Sequence, residues 1–254
     1  MLLAIDIGNT NTVFALIAHG KITSTWRMTT VHNRTSDEYA SFYRNLIKDE
    51  AKNIEAVIIS SVVPETKFHI SKFCLEHINA DPVFVTKDNI DIKIDIERPE
   101  DVGSDRLVNA IGVLKHHKTP AIVLDYGTAT TFDIIDDQGA YCGGIIAPGI
   151  NLSLSALSQA ASKLPKISIE KPPSVIGKTT INAMQSGSYW GYVSLINGLL
   201  KKLLAEPAMQ NASIIATGGL AETFRNDLDY IQTIDQDLTL KGLYKIYCDI
   251  KEHE

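Results

Sequence analysis

Cysteine is scarce in this 254-residue chain: Cys74, Cys142 and Cys248 are all it has, far apart and in mostly apolar surroundings. No Cys-x-x-Cys pair occurs, so neither a zinc site nor a disulfide framework is supported, and small buried thiols in a reducing compartment are the better reading. Long apolar runs are missing too. No stretch approaches the roughly 18 residues that a membrane span needs. The apolar N-terminal run meets Asp6 almost at once without a basic leader, so it reads as a first strand and not as a secretion signal. A basic surplus is also absent. Lys plus Arg number 24 against 30 Asp plus Glu, a net charge of −6, whereas binding to nucleic acid or to an anionic membrane needs clustered cations. Pairs such as Lys201-Lys202 read as a solvated helix face. The expectation is a cytoplasmic protein with no nucleic-acid and no membrane partner. What remains is ordinary globular composition, 44% apolar and 21% charged, in a chain long enough for one large or two modest domains.

What the chain does have is a repeat. Leu-Ala-Ile-Asp6-Ile-Gly8-Asn9-Thr10-Asn11-Thr12-Val13 near the start returns, about half a chain later, as Ile-Val-Leu-Asp125-Tyr-Gly127-Thr128-Ala-Thr130-Thr131-Phe132. Each copy is an apolar run, Asp-x-Gly, hydroxyl residues and a second apolar run, the pattern of strand, tight turn, strand with a carboxylate at the turn. One Asp-x-Gly means little, because both residues are common turn formers. Two with matched flanks, each heading one half, suggest a pair of turns offering acid groups to a cation and backbone N–H groups to phosphates.

The spacing predicts strands over residues 2–5, 12–18 and 22–28, with His19-Gly20 as the second turn. Thr35-Ser-Asp-Glu38 is a capping box opening a helix whose apolar face is Tyr39, Phe42, Tyr43, Leu46 and Ile47. A strand over 56–59, the segment Ser60-Ser-Val-Val-Pro64, a helix to about 78 and a strand over 83–85 follow. The second half repeats the order loosely: strands over 121–124, 131–135 and 142–146, helices over 151–164 and 180–204, a strand over 213–216 ended by Thr217-Gly-Gly219, and a helical tail over 238–248. No low-complexity linker separates the halves. The boundary is expected within the connecting helix over 106–117, giving domains 1–115 and 116–254.

A second constellation, Gly103-Ser104-Asp105-Arg106, directly precedes that apolar helical pattern. It has two readings: an N-terminal capping Asp with a surface Arg, or a general base beside a guanidinium able to grip a carboxylate or amide.

The two Asp-x-Gly turns and Thr217-Gly-Gly219 together resemble the phosphate-1, phosphate-2 and adenosine motifs of the actin, Hsp70 and sugar-kinase superfamily. With Gly103-Ser-Asp-Arg106, Gly143-Gly-Ile-Ile-Ala-Pro-Gly149 and Gly177-Lys-Thr-Thr180 in order, the chain resembles a type III pantothenate kinase over nearly its whole length. The resemblance implies an α/β fold: two ribonuclease-H-like domains with mixed five-stranded sheets flanked by helices, in an actin-like duplicated architecture with ATP in the interdomain cleft. It implies transfer of phosphate from ATP to the terminal hydroxyl of pantothenate, the first step of coenzyme A biosynthesis. Asp105 matches the family's catalytic base, and Gly103, Ser104, Asp105, Arg106 and Thr180 match pantothenate-binding positions. Asp6, Ile7, Gly8, Asn9, Thr10, Asn11, Thr12, Val13 and Thr128 match ATP-binding positions. Asp6 is implied to orient Mg²⁺ through water, and Asp125 to hold a monovalent cation, K⁺ or NH₄⁺. Family members are homodimers. One departure stands out: Ile96 occupies a position where the family commonly has Tyr against the substrate. Two alternatives belong to other classes, a nucleotide-binding accessory protein of the same fold without turnover, and another small-molecule kinase of the superfamily.

Overall fold

The computed structural model describes residues 1–47, 54–161 and 164–253. They form two compact units, Met1–His117 together with Asp237–Glu254, and Lys118–Gln236.

The first unit opens with three antiparallel strands, β1 (Leu2–Ile7), β2 (Asn11–Ala18) and β3 (Lys21–Thr29). β1 lies inside the sheet and is buried at almost every position, as its unbroken apolar run requires. β3 is an edge strand and alternates exposed with half-buried residues. His19 and Gly20 both have positive φ, which suits a two-residue connection between twisted strands. The predicted capping box is present at α1 (Ser36–Phe42): Glu38 accepts from the Thr35 amide at 2.8 Å, and the Glu38 amide donates to Thr35 Oγ1 at 3.3 Å. The helix then widens into a π-helical turn, Tyr43–Ile47. The extra residue in that turn rotates the side chains, so Leu46, expected on the buried face, is 52% exposed while Tyr39 and Ile47 are buried.

β4 (Ala56–Ser61) pairs parallel to β1, and β5 (Pro82–Phe84) parallel to β4, with α2 (Lys67–Phe73) between them. The sheet order is β3-β2-β1-β4-β5. α3 (Ser104–His116) follows, beginning two residues earlier than the sequence suggested.

The second unit holds β6 (Ala121–Tyr126), β7 (Ala129–Ile135), β8 (Tyr141–Pro148), α4 (Ile150–Ala160), α5 (Thr180–Leu203), β9 (Ser213–Thr217), α6 (Ala221–Phe224) and β10 (Thr233–Ile234). The expected helix over 151–164 ends at Ala160, and residues 162 and 163 lie outside the described residues. The sheet order is β10-β9-β6-β7-β8, with β6 antiparallel to β7 and parallel to β9. Taken from β8 inward, order and directions match those of the first sheet strand for strand. The architecture is therefore the duplicated α/β one, with two mixed five-stranded sheets. Tyr126, Tyr189, Tyr192 and Phe224 form an aromatic group in the core on one face of the second sheet.

The tail helix α7 (Leu238–His253) packs with the first unit, not with the second half to which a cut at 115/116 assigns it. The reason is a close crossing with α3. A Cβ on Gly112 would lie 2.7 Å from the Leu238 carbonyl oxygen, and one on Gly242 would collide with the Val108 carbonyl. Thr239 Oγ1 donates to Asn109 Oδ1 at 2.7 Å, and Leu238, Leu243 and Ile246 are buried.

Candidate active-site residues

Asp6 is the next-to-last residue of β1 and lies between Val13 of β2 and Ser60 of β4 in register. The turn after it is braced from below. The Gly8 amide donates to the Asn11 carbonyl at 3.0 Å, Thr30 Oγ1 donates to the Gly8 carbonyl at 2.7 Å, and Thr12 and Thr30 share a buried hydroxyl contact of 2.9 Å. The side chains of Ile7 and Thr12 are thus used inside the fold, and Asn9, Thr10 and Asn11 are the exposed ones. Alternation along β2 makes this division, one residue in and the next out.

The start of α3 carries the second predicted constellation. Gly103 is the N-terminal cap residue but has no side chain to cap with. Asp105 folds back: its Oδ1 accepts from the Arg106 amide at 2.9 Å, and it occupies the space beside Gly103, where a Cβ would come within 2.5 Å of it. Glycine is present here for room, since its φ of −63° suits any residue. Burial raises the Asp105 carboxyl above its ordinary range, outweighing the Arg106 amide and guanidinium, which pull it down. That is the direction in which a carboxylate becomes a better base. Ser104 turns the other way. Its hydroxyl donates to the Ser61 carbonyl at 3.2 Å and lies 3.4 Å from Ser60 Oγ. Since Ser60 is the register partner of Asp6, the end of β1 and residues 103–106 come together at one end of the first unit's sheet.

In the second unit Asp125 occupies the equivalent place in β6, between Thr131 of β7 and Thr217 of β9. Gly218 has φ of +89°, and a Cβ there would lie 2.7 Å from Asp125 Oδ1 and from the Tyr126 carbonyl oxygen. Only glycine fits both the conformation and the space. The turn at 127–128 is supported by the glycine-rich 143–149 element. The Gly149 amide donates to the Thr128 carbonyl at 3.2 Å, and any side chain on Gly149 would strike that carbonyl. Thr128 itself is exposed. Behind the turn, Thr130 Oγ1 and the Tyr192 hydroxyl are 2.5 Å apart and buried. Thr179 caps α5 by accepting from the Asn182 amide at 3.1 Å, which leaves Thr180, its first residue, exposed.

Within the first unit the structure groups Asp6, the 8–11 turn and residues 103–106; within the second it groups Asp125, Thr128 and residues 217–219. Ser60, Ser61 and Tyr192 carry connections that no motif or spacing in the chain signals. Among the described residues no three His, Cys, Asp or Glu side chains cluster to cage a metal. Among the described residues no helix is long and apolar enough to cross a membrane.

The family model for type III pantothenate kinase matches residues 2–202. A type III pantothenate kinase of Rhodospirillum rubrum is 49% identical over 252 residues, covering 97% of this chain and 98% of that protein. Another, from Halalkalibacterium halodurans, is 42% identical over 253 residues, covering 97% and 98%. Among solved structures, a Sinorhizobium meliloti protein named for a 2-dehydro-3-deoxygalactonokinase superposes with a TM-score of 0.65 at 12% identity, covering 98% of this chain and 99% of that one. A Campylobacter jejuni protein named for a Baf family transcriptional activator gives 0.62 at 21% identity, covering 98% and 99%. These two structures share the fold.

Proposed function

The chain belongs to the type III pantothenate kinase family, which uses ATP to phosphorylate pantothenate in coenzyme A biosynthesis, and on that premise we propose that Asp105 is its general base. The observation that carries the reading is the Asp105 carboxylate itself. It is partly buried, raised above its ordinary range by that burial, set beside Arg106 and tied through Ser104 to the strand that pairs with Asp6. Its other oxygen takes the proton of the pantothenate hydroxyl as the hydroxyl oxygen bonds to the γ-phosphorus, and the bond from the γ-phosphorus to the bridging oxygen breaks to release ADP. Gly103, Asp105, Arg106 and the backbone of Ser104 hold pantothenate together with Thr180, with the Arg106 guanidinium on a carboxylate or amide oxygen.

The turn over residues 6–13 and Thr128 hold ATP, through backbone N–H groups and the exposed side chains of Asn9, Thr10, Asn11 and Thr128. Phosphoryl transfer needs positioning and charge neutralisation above all, and this is what the two turns supply. Magnesium, when bound with ATP, neutralises phosphate charge, with Asp6 orienting it through water. Asp125 holds the monovalent cation, K⁺ or NH₄⁺.

The acidic balance argues against nucleic-acid and anionic-membrane partners, and three cysteines with none in a disulfide fit a cytoplasmic enzyme. A homodimer is supported by one face of the second unit. There α4 and α5 line a groove of about 740 Å³, Leu152, Leu157 and Leu195 are exposed, and Gly187, Gly191 and Gly198 have open space where a Cβ would point. An ADP-release assay tests the function: ADP should form with pantothenate only when Mg²⁺ and K⁺ or NH₄⁺ are both present. Turnover of glucose or glycerol but not of pantothenate would overturn the reading.

A further inference from the structure

The segment Ser60-Ser-Val-Val-Pro64 has been given no part in binding or catalysis, yet its place in the fold is informative. Because the two sheets share one topology, the exit from β4 in the first unit corresponds to the exit from β9 in the second. Asp6 pairs with Ser60 as Asp125 pairs with Thr217. In the second unit this exit carries Gly218, which lies against Asp125. In the first it carries hydroxyls, and their bonds run both ways. The Val62 amide donates to the Ile7 carbonyl at 3.1 Å, which ties the segment to the end of β1. Ser61 Oγ accepts from the Val63 amide at 3.1 Å and donates to the Val63 carbonyl at 3.2 Å, which fixes the bend. On the other side the Ser104 hydroxyl reaches the Ser61 carbonyl at 3.2 Å and Ser60 Oγ at 3.4 Å, the first of these being the stronger bond. Val62 also lines the space beside Gly103.

A helix without a side-chain cap has loose first-turn amides and a first turn that frays. α3 has none at Gly103, and the residue one step on uses its hydroxyl for a tertiary bond to β4. We propose that Ser60 and Ser104 are positioning residues: together with the Ser61 carbonyl they pin the first turn of α3 to the strand beside Asp6, and so hold Asp105 at a fixed distance from the phosphate-binding turn. Ser60 is 0% exposed, so it acts through this bond and not by touching substrate. The inference rests on the reading of Asp105 as the base.

The test is steady-state kinetics of Ser104→Ala, Ser60→Ala and Asp105→Asn, alone and combined, with thermal melts as a control for folding. Ser104→Ala and Ser60→Ala should each lower kcat about tenfold, by a fraction of the cost of a full misplacement, with KM for ATP unchanged and the melting temperature within a few degrees of wild type. Added to Asp105→Asn, neither should cost anything further, because a misplaced base and a missing base are equivalent; a merely structural bond would keep its own cost there. Wild-type kcat in both serine variants beside a crippled Asp105→Asn sinks the positioning role and leaves the base in place. Near-wild-type turnover in Asp105→Asn sinks the base, and with it any role exerted through it. A raised KM for pantothenate in Ser104→Ala, with Ser60→Ala unaffected, makes Ser104 a substrate contact and also overturns the proposal.

Discussion

Replacing Gly103 by Ala isolates the placement of the base from the stability of the fold. The new Cβ would stand 2.5 Å from Asp105 Oδ1, about 1 Å inside ordinary contact. The backbone at 103 has φ of −63° and ψ of 141°, which alanine adopts without strain. Two small stability effects oppose each other. Alanine is a poorer N-terminal cap than glycine, by about 0.5–1 kcal/mol, while removing a glycine from the unfolded chain gains about 0.4–1 kcal/mol. They nearly cancel, so the melting temperature should stay within a few degrees. The carboxylate, in contrast, has to retreat by about 1 Å, a displacement that costs on the order of 10²-fold in rate. The expected variant is folded, binds ATP with unchanged KM, and releases ADP between ten- and a hundredfold more slowly than wild type. A kcat within twofold of wild type at an unchanged melting temperature would refute the argument that the missing side chain makes room for the base.

Asp105→Asn should lower kcat by about 10²-fold or more. Because burial raises this carboxyl, the acid limb of the wild-type kcat profile should lie above the ordinary carboxylate range. The same shift makes the ionised group a burden on the fold: the folded state holds the proton more tightly than the unfolded chain, so stability falls as pH rises through the raised value. Asp105→Asn is therefore expected to melt no lower than wild type at neutral pH, and a clear drop would contradict the burial argument. Asp125→Asn should mainly weaken the response of the rate to K⁺ or NH₄⁺; an unchanged cation titration removes that assignment. Tyr192→Phe strands the buried Thr130 hydroxyl and should lower stability by about 1–2 kcal/mol, read as a lower urea midpoint. Burial, with the Asp125 charge nearby and against the Thr130 bond, pushes the Tyr192 phenol up to about 12. Wild-type stability should accordingly fall above about pH 10, and less so in the variant; matching alkaline curves would count against it.

The strands were the most legible part of the sequence, because apolar runs bounded by turn formers have one physical meaning in a chain of this composition. The repeat was informative at the level of single residues: Asp6 and Asp125 do occupy matched positions in matched sheets. The capping box was readable because its partners are three residues apart. What could not be read depends on distant contacts or on local winding. The burial of Leu46 was misjudged because a π-helical turn breaks the 3.6-residue period. The two-residue β10 is too short to leave a pattern. The packing of α7 depends on Gly112 and Gly242, more than a hundred residues apart, meeting at one crossing. The inward turn of Ser104 was equally hidden, since a serine at a helix start looks the same whether its hydroxyl faces a ligand or a strand.

The return of α7 to the first unit makes the chain nested rather than tandem. The path leaves the first unit at His117 and re-enters it at Asp237, and everything between belongs to the second. Synthesis runs from the N-terminal side to the C-terminal side, but completion runs in another order. All of the second unit has been made when Gln236 emerges, whereas the first still lacks the helix that covers α3 along Val108 and Gly112. A nascent chain can thus close its second unit first, and its N-terminal unit stays open until α7 is available.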